Sequence, residues 1–158
     1  MTPRLSTTDY INAPLGRAML NLEQAVKASG LERSLLELVK IRASQINGCA
    51  FCIDMHTIDA RALGETEQRI YALNAWHEAP FFTDRERAAL AWTEAVTRVA
   101  DTHVPDDVYH QVRALFSEEE IVVLTFAVAT INVWNRLSIS FRVPAGTYRR
   151  PQEPAGVA

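Results

Sequence analysis

Runs of basic residues, strand-like alternation and long apolar stretches are all missing from this sequence, and each absence removes a class of function. Its 16 basic and 19 acidic residues leave a net charge of −3 with no basic block, so there is no electrostatic footprint for nucleic acid or for an anionic membrane. The longest apolar stretch, Ile121 to Ile131, runs into Asn132, Asn135 and Arg136; it is too short to cross a bilayer and reads as a buried helix. Met1 to Tyr10 holds one arginine and no apolar core, unlike a secretory leader, so a cytoplasmic location is expected. Cysteine is scarce, with only Cys49 and Cys52. In a reducing compartment so close a pair is catalytic or metal-binding more often than a permanent crosslink.

What is present suits one soluble domain: 158 residues, 48% hydrophobic and 22% charged, enough to bury a core without staples. The pattern is helical throughout. Residues 1–13 read as an extended arm and 14–141 as a single helical domain. Residues 142–158, with Pro144, Gly146, Pro151 and Pro154, read as an irregular tail draped over a partner subunit. Within the domain, Pro14 suits a first helical turn and Gly30 a stop. A helix over about 32–46 is apolar nearly all round, with one polar stripe of Glu37, Lys40 and Ser44, so it belongs at the centre. Thr83 with Glu86, and Ser117 with Glu120, form capping boxes ahead of two further helices. The fold class is therefore all-α, a bundle of about six to eight helices. A faint echo of residues 43–47 in residues 129–132 hints at a duplicated helical unit.

The chemistry gathers at Gly48 to His56. On a helix beginning near Gly48, Cys49, Cys52 and His56 share a stripe about 60° wide. Positions i and i+3 bring Cα atoms to roughly 5–6 Å, within reach of an unstrained disulfide. Unpaired N–H groups and the dipole at a helix start favour a thiolate, which points to Cys49 as the more acidic thiol. A base at i+4 points instead to Cys52, since His56 can take its proton. Glu37 lies on the lone polar stripe leading into the cysteine turn, although alone it reads as a surface acid paired with Arg33 or Lys40. Asp59 could orient the His56 ring but reads as a solvated acid. His77, His103 and His110 read as surface residues, and Asn132 and Asn135 as buried and hydrogen-bonded. Competing readings make the cysteines plain buried hydrophobes, or zinc ligands with His56 and an acid, a site for which no second cysteine pair is available. Ile53 after Cys52 excludes c-type haem attachment.

Glu37, eleven intervening residues, Cys49-x-x-Cys52, three more and His56 resemble the motif of the alkylhydroperoxidase D-like branch of the carboxymuconolactone decarboxylase family. Thr83 to Thr97 and Asn132 to Leu137 are similar to it as well. The resemblance implies an AhpD-like helical bundle, assembled as a homo-oligomer, trimer or hexamer. It also implies a peroxidase with no bound cofactor or metal, whose disulfide is restored by an external dithiol, of thioredoxin or lipoyl type. Residue by residue it implies Cys52 as the attacking thiol, Cys49 as the resolving one, His56 as base and Glu37 in the proton relay. One position departs, since Phe51 stands where the family has a histidine, which also leaves room for a redox-responsive or zinc-holding module without turnover. The lactone decarboxylases of the family generally lack the cysteine pair.

Overall fold

The computed structural model describes residues 2–150, and the prolines at 151 and 154 lie outside the described residues. Among the described residues there are nine α-helices, one 3-10 turn and no strand. In order they are α1 (Thr7–Asn12), α2 (Pro14–Lys27), α3 (Arg33–Asn47), α4 (Ala50–Ala62), α5 (Glu67–Ala72) with a 3-10 turn at Leu73–Ala75, α6 (Asp84–Thr97), α7 (Val99–Thr102), α8 (Asp106–Arg113) and α9 (Glu118–Phe141).

The all-α class holds, and the helix count exceeds the expected six to eight because one short helix lies in the expected arm and another follows a break at the end of α6. The first correction concerns the arm: residues 7–12 are helical, and α1 ends only because Pro14 forces Ala13 out of the α region, to φ −66° and ψ 158°. Helix α1 then folds back on α2 so closely that a Cβ on Gly16 would collide with the carbonyl oxygens of Tyr10 and Ile11. The second lies after α6, where Arg98 interrupts the helix and α7 adds one turn before His103 and Val104 adopt positive φ.

Helix α3 is the axis of the molecule, packed against α4, α6 and α9. Every residue from Leu35 to Ser44 is buried, charged ones included, as its apolar circumference predicts. One core joins Leu35, Leu36 and Val39 to Ala88, Ala89 and Trp92 of α6 and to Leu124 and Val128 of α9. A second joins Leu38 and Ile41 to Leu73, Trp76 and Leu90. Both capping boxes are present, with Thr83 and Ser117 accepting from the backbone of Glu86 and Glu120, whose carboxylates reach back. Helix α9 is long and apolar enough to cross a bilayer, yet half of its apolar window is buried inside the domain. It turns Thr130, Asn132, Asn135 and Ser138 inward.

Candidate functional site

Helix α3 ends in a left-handed Gly48 (φ 70°), whose N–H bonds Gln45 O while the Cys49 N–H bonds Ser44 O at 2.9 Å. A side chain at Gly48 would strain this turn, which reverses the chain so that α4 starts at once. The turn is fixed from outside by the Asn47 amide, which donates to Asn132 Oδ1 at 3.0 Å and Asn135 Oδ1 at 2.8 Å. Asn135 in turn donates to Ser44 Oγ at 3.0 Å. The segments related by the faint sequence echo thus meet each other across the α3–α9 contact.

Cys49 is the N-cap of α4 rather than its first residue, and its sulfur accepts the Cys52 N–H at 3.4 Å. The two cysteines are joined as a disulfide, with Cα atoms 5.4 Å apart. Both are buried, in a small apolar cluster with Ala43 and Ile131, flanked by Phe51 and Trp134. One helical turn beyond Cys52, His56 is also buried, and its Nδ1 lies 2.7 Å from Glu37 Oε2. An Nδ1–H given to this carboxylate leaves Nε2 as the nitrogen that can accept a proton.

Glu37 is held from its other side by Lys40 at 3.4 Å, and Lys40 reaches Glu23 of α2 at 2.5 Å. Burial alone would raise the Glu37 carboxyl. The hydrogen bond and charge of His56, joined by Lys40, outweigh it and hold the group at about 2. Burial likewise opposes the charge on Lys40, but Glu37 and Glu23 reverse the effect and push it above its ordinary value. The chain thus keeps an ionised carboxylate against the imidazole in a dry place, at the cost of a second cation to balance it.

Of the four expected site residues, Glu37 and His56 are paired across α3 and α4, and Cys49 and Cys52 are paired at the start of α4, one helical turn before His56. Asp59 corrects the solvated reading: it is half-buried, and its carboxylate accepts from the Tyr148 hydroxyl at 3.0 and 3.2 Å. Of the irregular tail, residues 146–150 lie on α4 of their own chain, where the Gly146 N–H donates to Asp54 Oδ2 at 2.8 Å, and residues 151–158 lie outside the described residues. His77, His103 and His110 are exposed as expected, while Asn132 and Asn135 are buried and bonded.

Two openings flank the site. One, of about 420 Å³, is walled by Gly48, Cys49, Phe51, Ile139 and Val143, with Arg4 and Arg142 at its rim. The other, of about 200 Å³, is lined by Glu37, Asp59 and Tyr148 with Lys27, Arg33 and Arg150. As for metals, Glu37, His56 and Asp59 are the one set among the described residues with ligand atoms close enough together, within 4.8 Å. Both Glu37 oxygens are already engaged by Lys40 and His56, and three cations line the opening, so the charge there does not favour a metal ion.

Residues 13–95 match the model of the carboxymuconolactone decarboxylase family. The uncharacterized protein YdfG of Bacillus subtilis is 51% identical over 132 residues, which are 83% of this chain and 90% of that protein. Among solved structures, a protein of unknown function from Agrobacterium tumefaciens, provisionally named for AhpD antioxidant defence, superposes with a TM-score of 0.88. It is 43% identical, the match covering 93% of this chain and all of that one. The debrominase Bmp8, solved with 2,3,4-tribromopyrrole, shares the fold at TM-score 0.79 and 19% identity, over 89% of this chain and 75% of its own.

Proposed function

Since the chain belongs to the carboxymuconolactone decarboxylase family, in its AhpD-like branch, we propose that it is a thiol-dependent peroxidase working through Cys49 and Cys52. The observation that carries this reading is the buried 2.7 Å contact between Glu37 and His56, one turn from Cys52. A carboxylate-oriented imidazole beside a thiol is what an activated sulfur nucleophile needs.

In the reduced protein His56 takes the Cys52 proton and the thiolate attacks the terminal oxygen of the peroxide. The O–O bond breaks and an S–O bond forms. The alkoxide or hydroxide leaves with a proton from His56, and Cys52 becomes a sulfenic acid. Cys49 then attacks that sulfur, water departs and the disulfide closes. An external dithiol reopens it by two exchanges, ending oxidised itself. Cys49 lines the apolar opening, which supports it as the sulfur attacked by such a reductant; Cys52 then leaves as a thiolate. The reductant is a thioredoxin- or lipoyl-type dithiol, and no bound cofactor is required.

Exposed apolar residues along α9, Val122, Phe126 and Val133, support a homo-oligomer, which sedimentation tests, and the work is assigned to the cytoplasm. The cysteine pair argues against lactone decarboxylation. The debrominase lends its fold and not its reaction. Peroxide consumption with a dithiol reductant, compared between the wild type and Cys52→Ser, is the test. Equal rates sink the peroxidase reading, and single-turnover oxidation without sustained consumption favours a redox module instead.

A further inference from the structure

Asp59 stands one turn beyond His56 on the same face of α4. A carboxylate oxygen of Glu37, a ring nitrogen of His56 and a carboxylate oxygen of Asp59 all lie within 4.8 Å of one another. Asp59 is not left to find its own rotamer. The Tyr148 hydroxyl donates to both its oxygens, the Arg150 guanidinium stands 3.9 Å away, and the Gly146 N–H anchors the same segment to Asp54. Burial, then the hydrogen bond and charge of Asp59 and the charge of Glu37, push the Tyr148 hydroxyl up to about 12 against the pull of Arg150. The phenol therefore stays a donor across the working range and orients Asp59 without competing for its proton.

The Glu37 carboxylate is not reserved for His56. Lys40 draws on the same Glu37 carboxylate from within α3 and is shared with Glu23 of α2 at 2.5 Å, with Lys27 3.9 Å from Glu23 on the far side. Around the polar opening Lys27, Arg33 and Arg150 add positive charge. A second carboxylate close to the ring offsets these cations when the imidazole takes on a proton.

We propose that Asp59, oriented by Tyr148, is a positioning residue for His56, stabilising the imidazolium formed on deprotonation of Cys52 and giving the buried Glu37–His56 pair its exchange with solvent through the polar opening. The proposal rests on the thiol chemistry above for its purpose. Its test does not need peroxide turnover. The ultraviolet absorbance of the Cys52 thiolate is followed against pH in reduced Cys49→Ser protein, alone and with Asp59→Asn, Asp59→Glu or Tyr148→Phe.

With Asp59→Asn the titration moves to higher pH by about one unit, a tenfold loss of thiolate at a given neutral pH. Asp59→Glu restores most of the loss, and Tyr148→Phe shifts it the same way by less. Retained helical circular dichroism and a cooperative unfolding transition show that each variant is folded. An unshifted titration in folded Asp59→Asn overturns the proposal, and so does a shift that Asp59→Glu fails to reverse. If the wild type consumes no peroxide but the titrations move as described, the peroxidase reading fails and the positioning role stands.

Discussion

The two openings flank one site and differ in kind. The larger is walled by Phe51, Ile139 and Val143 and reaches the sulfur-bearing Cys49. The smaller is lined by acids, cations and a phenol, and reaches Glu37. In the proposed peroxidase this division would give the acids beside His56 a polar opening and the cysteine turn an apolar one.

The largest effect that probes this division is on the sulfur side. Cys52→Ser lowers dithiol-dependent peroxide consumption by about 100-fold or more, measured as steady-state rate. Brief oxidation of Cys49→Ser leaves a sulfenic acid on Cys52 that mass spectrometry detects. The same label found on Cys49 in the Cys52→Ser protein would exchange the two roles.

Next comes the relay side. Glu37→Gln removes a buried charge that neutralises Lys40 and holds the His56 ring, and costs about 3 kcal/mol in urea unfolding. A cost no larger than that of a surface substitution would show that the pair does not hold the helices together. The pH dependence follows with its sign fixed. The Glu37 carboxyl sits at about 2 when folded, below its ordinary 4.5. Its contribution is therefore complete above about pH 4.5 and is lost as pH falls toward 2. Wild-type stability declines more steeply through that window than that of Glu37→Gln, as paired unfolding curves at successive pH values check.

The smallest expected effect breaks the separation itself. Phe51→His sets a titratable group into the apolar opening beside the sulfurs, and the rate of Cys52 oxidation rises by about two- to fivefold. A fall in rate would show that dryness there matters more than a second proton donor.

Much of this was legible in the sequence because it rests on short-range spacing. The apolar circumference of residues 35–44 made α3 central, both capping boxes formed, and the i, i+3, i+7 spacing of Cys49, Cys52 and His56 aligned them. Glu37 could be named because its polar stripe runs along α3 toward the turn. Asp59 and Tyr148 are a different matter. Asp59 carried only its i+3 offset from His56, a spacing equally suited to a solvated acid. Tyr148 reaches it from 89 positions away through a tail with no periodicity, so nothing local announced the contact. The same holds for Lys40 and Glu23, whose pairing depends on how α2 lies across α3. Helix α1 was missed because six residues are too few for a hydrophobic pattern to emerge, and the proline that ends it also disguised it.

The amide clamp from Asn47 to Asn132 and Asn135 bears on how the protein could be observed. Those bonds tie the cysteine turn to the longest helix, and none of them involves a sulfur, so opening the disulfide leaves all of them in place. In the proposed cycle, reduction of the disulfide would be a change of bonding on a stationary frame. Far-ultraviolet dichroism and hydrodynamic radius will be almost the same for the oxidised and reduced chain, and a partner that reads shape will find little difference between them.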